Sequence, residues 1–520
     1  MAHSDFLLAP RPRLFDPKSC EDWLRRASLA DPGHACYALL TLLDEMEDAL
    51  TAQPVYLQIL ERLHTPNFIA QEEQAKGYAG MALPLSHAES AAFAQASDLW
   101  IALRRGYNRL LRAALDGENP ELGRSIALLC QRALACTAGR IGACFFARRE
   151  VDAEQWQSLH EMYALAEANG VAETPVAVKR PHSTSAAEYA RALLLQLAQP
   201  YRLSLRDLDW TRRWIDYWSR KVRFTRESPA KGGYAVELGG HSGAAWVKNG
   251  VASDTRRFLD LARVGRSMKK RIRRLEEGAE PAALSLGRDC TKQAAATLLK
   301  ALGRAWFHSP AKTDFPRRAA PARTELTSSL AAIHQTVFGT TVETGPNRWD
   351  FPPRVSEPLP AFQRAPGLEY WETLEESAAD FHLRRKGPGA RIAHRQLVAL
   401  RPHGAQKFIL CTVRWLIEGA DNVLTIGARA LPGLARACAV RLVAGDPKRE
   451  EPFCAALALP VAVGLPPSLV LPAGWYQSGR VVELRLDNDV NRIELLELLE
   501  RGFDYERVNF SVASAKARQR

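Results

Sequence analysis

Three successive segments in the second half of the chain alternate apolar and polar residues with a period of two: Arg391–Leu400, Lys407–Ile417 and Asn422–Leu431. Each is bounded by turn residues, so the stretch from Glu372 to Leu442 is expected to form short strands joined as a meander. In the third segment Leu424, Ile426, Ala428 and Ala430 share one face while Thr425, Gly427 and Arg429 share the other, the pattern of a strand with one buried side. The middle segment is apolar on both faces, with Ile409, Cys411, Val413 and Trp415 opposite Phe408 and Leu410, and is expected to be the more deeply covered strand. Short strands of this kind close most economically into a small antiparallel β-barrel.

The amino-terminal half has the opposite character. From Asp16 to Ser219 nearly every segment carries helical spacing, with Ala35–Leu50, Ala92–Leu115, Asn119–Arg148, Asp152–Ala168 and Ser185–Ala198 separated by breaks containing Gly, Pro or Asn. In the first of these, Tyr37, Leu40, Leu43 and Met46 form the expected apolar side. At 520 residues the chain is too long for one core. The pattern predicts an α+β multidomain protein: an antiparallel α-helical array over 1–200, a mixed region with helices and a hairpin over 201–308, a β-barrel with its connector over 309–445, and a β/α extension with a basic tail over 446–520.

In the mixed region Trp210, Trp214 and Trp218 recur every four residues, a packing stripe. Lys221–Arg226 and Gly232–Leu238 are expected to pair around Pro229. Arg263–Arg274 is the most basic stretch, with Arg266, Lys269, Lys270, Arg271 and Arg273 crowded onto a predicted helix whose Val264, Met268, Ile272 and Leu275 form its inner stripe. Such a helix is read first as a solvated basic face, with phosphate binding as the alternative. A further helix is expected over Gly287–Phe307, and a basic, proline-rich connector follows from Ser309 to Arg323. That connector runs into a predicted strand over Thr324–Ile333, bringing Arg317, Arg318 and Arg323 to the barrel edge. Beyond the barrel, Cys454–Val461, Ser468–Leu471, Gly479–Leu486 and Val508–Val512 are expected strands that enlarge it, with an acidic helix over Arg492–Arg501.

The formal charge of +12 favours anionic partners. No apolar run reaches the roughly 18 residues a membrane-spanning helix needs, and the amino end has no basic segment followed by an apolar core, so a cytoplasmic protein is expected. The nine cysteines include no C-x-x-C pair, which argues for buried reduced thiols over zinc ligands or disulfides. No paired nucleophile and base, phosphate-binding loop or metal-ligand cluster is evident. Neither catalytic residues nor a metal are assigned, and His87 and Ser158–Glu161 are read as surface or capping groups.

A basic loop with spaced arginines, a first strand, an acidic-x-Ser stretch leading into a second strand, and a strand ending in Arg-Trp before an Ile-Gly strand resemble the bacterial PilZ domain over Phe315–Val443. More particularly, Leu397–Arg401, Val413–Leu416 and Thr425–Arg429 are similar to long proteobacterial proteins with a helical first half and a PilZ-like carboxy-terminal region, a likeness extending through Leu469–Gly474 and Leu499–Arg507. The resemblance implies a six-stranded barrel that senses cyclic di-GMP and controls motility, pili or exopolysaccharide. It assigns the ligand-binding role to Arg317, Arg318, Arg323, Glu375, Ser377 and Asp380. A dinucleotide of this kind needs arginines that pair bidentately with phosphate and guanine edges.

Three departures from the family pattern stand out, one being that Glu375 is a methylene longer than the expected acid. Arg318 and Arg323 enclose four residues where the family motif encloses three, and Asp380 replaces the small glycine, placing a negative charge where an anionic ligand approaches. Arg384, Arg385 and Lys386 beside that hairpin are read either as partial compensation or as a solvated edge that discourages strand pairing. Three functions follow, in order of preference: a cyclic di-GMP effector or adaptor acting through a protein partner on the helical half, a nucleotide-independent interaction scaffold, and a nucleic-acid binder using Arg263–Arg274.

Overall fold

A computed structural model describes residues 16–27, 29–48, 53–117, 119–177, 182–248, 253–309, 318–339, 367–443, 451–461, 464, 466–487 and 489–512, with backbone alone for 318–321. The chain divides into two compact units, Met1–Met81 with Leu85–Lys312, and Ala82–Pro84 with Thr313–Arg520.

The first unit begins with helices α1 (Pro17–Arg26), α2 (Pro32–Asp48), α3 (Gln53–Ala75), α4 (His87–Leu115), α5 (Pro120–Gly123), α6 (Ile126–Ala147), α7 (Ala153–Ala168), α8 (Ser185–Leu197) and α9 (Leu205–Trp218). Their starts follow from side-chain caps. Ser86 and Glu89 form a capping box on α4, while Asp152, Thr184 and Ser204 accept from backbone N–H groups of α7, α8 and α9. On α2 the buried stripe is Cys36, Leu39, Leu42, Leu43 and Met46, and Tyr37, expected inside, is 61% exposed. Tyr37 lies next to the stripe, one residue on from Cys36.

The tryptophan stripe is a core, as its spacing indicates. On α9 Trp210 stacks on Trp214 at 6.4 Å, and Trp218 meets Trp306 edge-on at 5.6 Å. Trp306 comes from α11 (Lys292–Phe307), beside α10 (Ala262–Glu276), whose Val264, Met268 and Leu275 are buried. Strands β1 (Arg223–Thr225), β2 (Gly233–Glu237), β3 (Ala245–Val247) and β4 (Arg256–Asp260) form one sheet in the order β1-β4-β2-β3. The expected β1–β2 hairpin is therefore corrected: β4 lies between them, paired to both.

The second unit contains two closed barrels. The first consists of β5 (Arg318–Ser328), β6 (Leu368–Glu376), β7 (Asp380–Arg385), β8 (Leu397–Arg401), β9 (Ile409–Glu418) and β10 (Leu424–Ala430), in the cyclic order β10-β7-β6-β5-β8-β9. The meander β8-β9-β10 is the one read from period two. Leu326, Trp371, Leu383, Leu400, Val413, Leu416 and Ile426 fill the interior.

Two expectations about this barrel change. The strand does not continue to Ile333: Ser329 caps a helix, α12 (Leu330–Phe338), and its hydroxyl accepts from Ala332 N–H at 3.3 Å. The arginine segment is not all connector either, because β5 begins at Arg318. Its ladder slips between Ala319 and Ala322, where Pro321 has no N–H to give.

The segments expected to enlarge the first barrel close a barrel of their own. Strands β11 (Arg436–Leu442), β12 (Cys454–Leu459), β13 (Ser468–Pro472), β14 (Val481–Leu486), β15 (Asp489–Arg501) and β16 (Tyr505–Val512) run in the order β11-β12-β13-β16-β15-β14. The predicted helix over Arg492–Arg501 is the end of β15. Glu and Leu favour helix there, but β14 supplies ladder partners as far as Glu494 and β16 supplies them on to Arg501, and two register shifts against β16 absorb the irregular spacing. Helix α12 packs between the barrels, where His334 Nε2–H donates to the Cys438 and Ala456 carbonyls at 2.9 Å each. Thr412 and Tyr505 join their hydroxyls across the same seam.

Candidate ligand-binding face of the first barrel

The outward residues of β5, β6, β7, β10 and β9 form a continuous face whose rows are set by strand register. In one row, Glu375 on β6 stands opposite His382 on β7, His382 opposite Gly427 on β10, and Gly427 opposite Trp415 on β9. Gly427 is required for this row. A Cβ at that position would sit 1.9 Å from Trp415 Nε1, so the indole lies directly over the glycine backbone. His382 meets Trp415 edge-on at 5.0 Å, and its Nδ1 is 3.9 Å from a Glu375 carboxylate oxygen.

The next row down contains Arg323, Glu372, Arg384 and Thr425. Arg384 grips Glu372 with two guanidinium nitrogens, the closest contact at 2.9 Å. The Arg323 guanidinium stacks on the exposed Tyr370 ring, its Cζ 3.6 Å from the ring centroid.

At the upper end, Ser377 shapes the β6–β7 turn. Its backbone N–H donates to the Asp380 carbonyl at 2.8 Å, and its hydroxyl accepts from Asp380 N–H at 3.0 Å. The Asp380 carboxylate is held bidentately by Arg429, with Nε–Oδ1 at 2.8 Å and Nη2–Oδ2 at 3.0 Å. The negative charge introduced in place of glycine is thus met by a cation two positions along β10 from Gly427.

Of the residues assigned from sequence, Glu375, Ser377 and Asp380 gather at one turn. Arg323 is on the same face, one row away from Glu375. Arg318 stands opposite Glu376 in the β5–β6 ladder, and Arg317 lies outside the described residues. The proposed compensators separate: Arg384 is on the outer face, whereas Arg385 is buried, paired with Glu369 and laid over Trp371. Sequence reasoning assigned no site role to Tyr370, His382, Trp415, Gly427 or Arg429. A glycine inside a strand pattern, followed at two positions by arginine, was the available signal for the last two.

The segments on either side of this barrel are matched by family models. Residues 18–230 match one described as cyclic-di-GMP receptor FimW, N-terminal domain, and residues 438–513 match one described as FimW C-terminal beta-barrel domain; together they take in more than half of the chain. This chain belongs to the FimW family of cyclic-di-GMP receptors. The FimW C-terminal match coincides with the second barrel, and the first barrel lies between the two matched FimW segments. The sequence resemblance was to PilZ; the family matched is FimW, which shares the cyclic di-GMP ligand and the β-barrel. No curated protein and no solved structure matches the chain. Among the described residues no group of His, Cys, Asp and Glu is placed to hold a metal ion, and no helix is long and apolar enough to cross a membrane.

Proposed function

We propose that this protein is a cytoplasmic effector that takes cyclic di-GMP on the outer face of its PilZ-like first barrel and acts through a protein partner on its helical half. The β5–β6 register carries this assignment, because it sets Arg318 opposite Glu376 and Arg323 opposite Glu372, and so lays the arginine segment along the acidic-x-Ser turn.

The chemistry of the face suits each part of the ligand. Guanine offers N–H donors on one edge and the O6 and N7 acceptors on another. The Glu375 carboxylate accepts from the first edge, and arginines donate to the second. Stacked on Tyr370, the Arg323 guanidinium presents its outer plane to a guanine ring. Arg317 and Arg318, in the segment that leads into β5 in sequence, are assigned the phosphate contacts, and the Trp415–His382 step forms the wall. Arg429 neutralises Asp380 and so removes the like-charge opposition that the sequence implies.

Hydrogen exchange of the full chain with and without cyclic di-GMP tests the location. Slower exchange is expected in 322–328 and 372–384; protection confined to other segments would refute the assignment.

A further inference from the structure

The outer side of α10 is a field of cations. At about 100° of turn per residue, Arg263, Arg266, Lys269, Lys270, Arg273 and Arg274 fall within an arc of about 140° and extend over about 17 Å of helix. All of them are exposed. Arg273 and Arg274 share Glu277 at 3.4 and 3.9 Å, and the others have no carboxylate within ion-pair reach among the described residues. Like charges at this spacing repel one another, so the face is destabilising until an anion meets it.

The opposite side is committed to the fold. Val264, Met268 and Leu275 are buried, Trp218 Nε1–H donates to the Ser267 hydroxyl at 3.2 Å, and Arg271 Nε–H donates to the Leu284 carbonyl at 3.0 Å. The helix therefore cannot roll its apolar stripe into a bilayer, and whatever it meets, it meets through charge. A duplex groove admits a projecting helix, whereas α10 is bonded to α9 and to the Pro281–Leu284 turn. A single strand needs aromatic rings on which its bases stack. The exposed ring beside the face, Tyr217, is already taken by Lys221 and Arg271, whose charged groups lie 4.6 and 4.7 Å from its centroid. An anionic membrane surface asks for neither feature, only for Lys and Arg clustered on one side of a helix.

We infer that the outer face of α10 docks this protein on an anionic phospholipid surface, peripherally and reversibly, through a contact made by the first unit alone. The guanidinium forks of Arg263, Arg266, Arg273 and Arg274 match the oxygens of headgroup phosphates, and Lys269 and Lys270 add point charges between them.

The test is co-sedimentation of the full chain with vesicles of phosphatidylglycerol and phosphatidylcholine in equal parts, beside vesicles of phosphatidylcholine alone. Binding is expected to the anionic vesicles only, and to disappear at 1 M salt, where the screening length falls to about 3 Å. The Arg263→Glu, Arg266→Glu, Lys270→Glu variant is expected to partition about a hundredfold more weakly. It keeps its thermal midpoint and its affinity for cyclic di-GMP. Arg25→Glu, Arg26→Glu, Lys76→Glu makes the same charge change at exposed positions on α1 and just beyond α3, and binds the vesicles within a few-fold of the parent. The inference is overturned if the anionic vesicles sediment no more protein than the neutral ones, or if the α10 variant binds as the parent does. It is also overturned if duplex DNA at equal phosphate concentration takes the parent chain off the vesicles, which would make nucleic acid the better-fitting polyanion.

Discussion

Asp380 and Arg429 face each other across the β7–β10 ladder in a two-pronged ion pair, Nε–Oδ1 2.8 Å and Nη2–Oδ2 3.0 Å. The aspartate stands where the PilZ motif that the sequence resembles has glycine, and the arginine is its counter-charge at the rim of the proposed ligand face. The two are expected to act as one unit. Arg429→Ala leaves Asp380 opposed to the phosphates and weakens cyclic di-GMP binding by about tenfold, whereas Asp380→Gly releases Arg429 to the ligand and tightens it a few-fold. The Asp380→Gly, Arg429→Ala double variant returns near the parent affinity, so a double-mutant cycle by calorimetry measures the coupling. Additive effects would show that the pair is a bystander.

Gly427→Ala forces its new methyl into the Trp415 indole. Displacing that ring is expected to cost about 1–3 kcal/mol, the usual range for overpacking. The urea midpoint reports it, and cyclic di-GMP binding falls in parallel because Trp415 and His382 no longer form the wall. An unchanged midpoint would contradict the packing described.

The buried Arg385 guanidinium depends on Glu369, whose carboxylate accepts from Arg385 Nη1 at 2.5 Å and from Trp371 Nε1 at 3.1 Å. Glu369→Ala leaves a cation 5% exposed without its counter-charge. A loss of about 3 kcal/mol is expected in chemical denaturation. Glu372→Ala, which breaks an ion pair with both partners at least one-third exposed, is expected to cost well under 1 kcal/mol.

Asp504 accepts from Leu397 N–H at 2.9 Å at the seam between the barrels, and burial pushes its carboxyl up to about 6 from an ordinary value near 3.8. A carboxyl raised in the folded state favours folding when protonated. Its contribution is therefore full below pH about 4 and is lost as the pH rises through about 6. Asp504→Asn keeps the acceptor without the charge. It is expected to flatten the pH dependence of thermal stability between pH 4 and 6 and to add about 1 kcal/mol at pH 7. A stability profile identical to the parent's would refute this.

How much of this was legible in the sequence follows from which interactions are local. Period two marked β8, β9 and β10 because their alternation reflects one wet and one buried face, and the four-residue tryptophan spacing marked α9. The second barrel was hidden because closure is non-local: Leu442 looked like the end of the first barrel, yet its pairing partner is Val482. Arg492–Arg501 misled because strand pairing, with β14 as far as Glu494 and with β16 on to Arg501, outweighs the helix preference of Glu and Leu. At the candidate site, Glu375, Ser377 and Asp380 could be picked out as a contiguous motif. Trp415, Gly427 and His382 could not, since only the register of three strands brings them into one row.

The most direct measurement is calorimetric titration of the full chain with cyclic di-GMP, beside a variant carrying Arg317→Ala, Arg318→Ala and Arg323→Ala. Binding at micromolar affinity or tighter, lost in the variant while its thermal midpoint is kept, is the predicted result. Equal binding by parent and variant would place the nucleotide elsewhere in the chain and contradict the assignment of the first barrel's outer face.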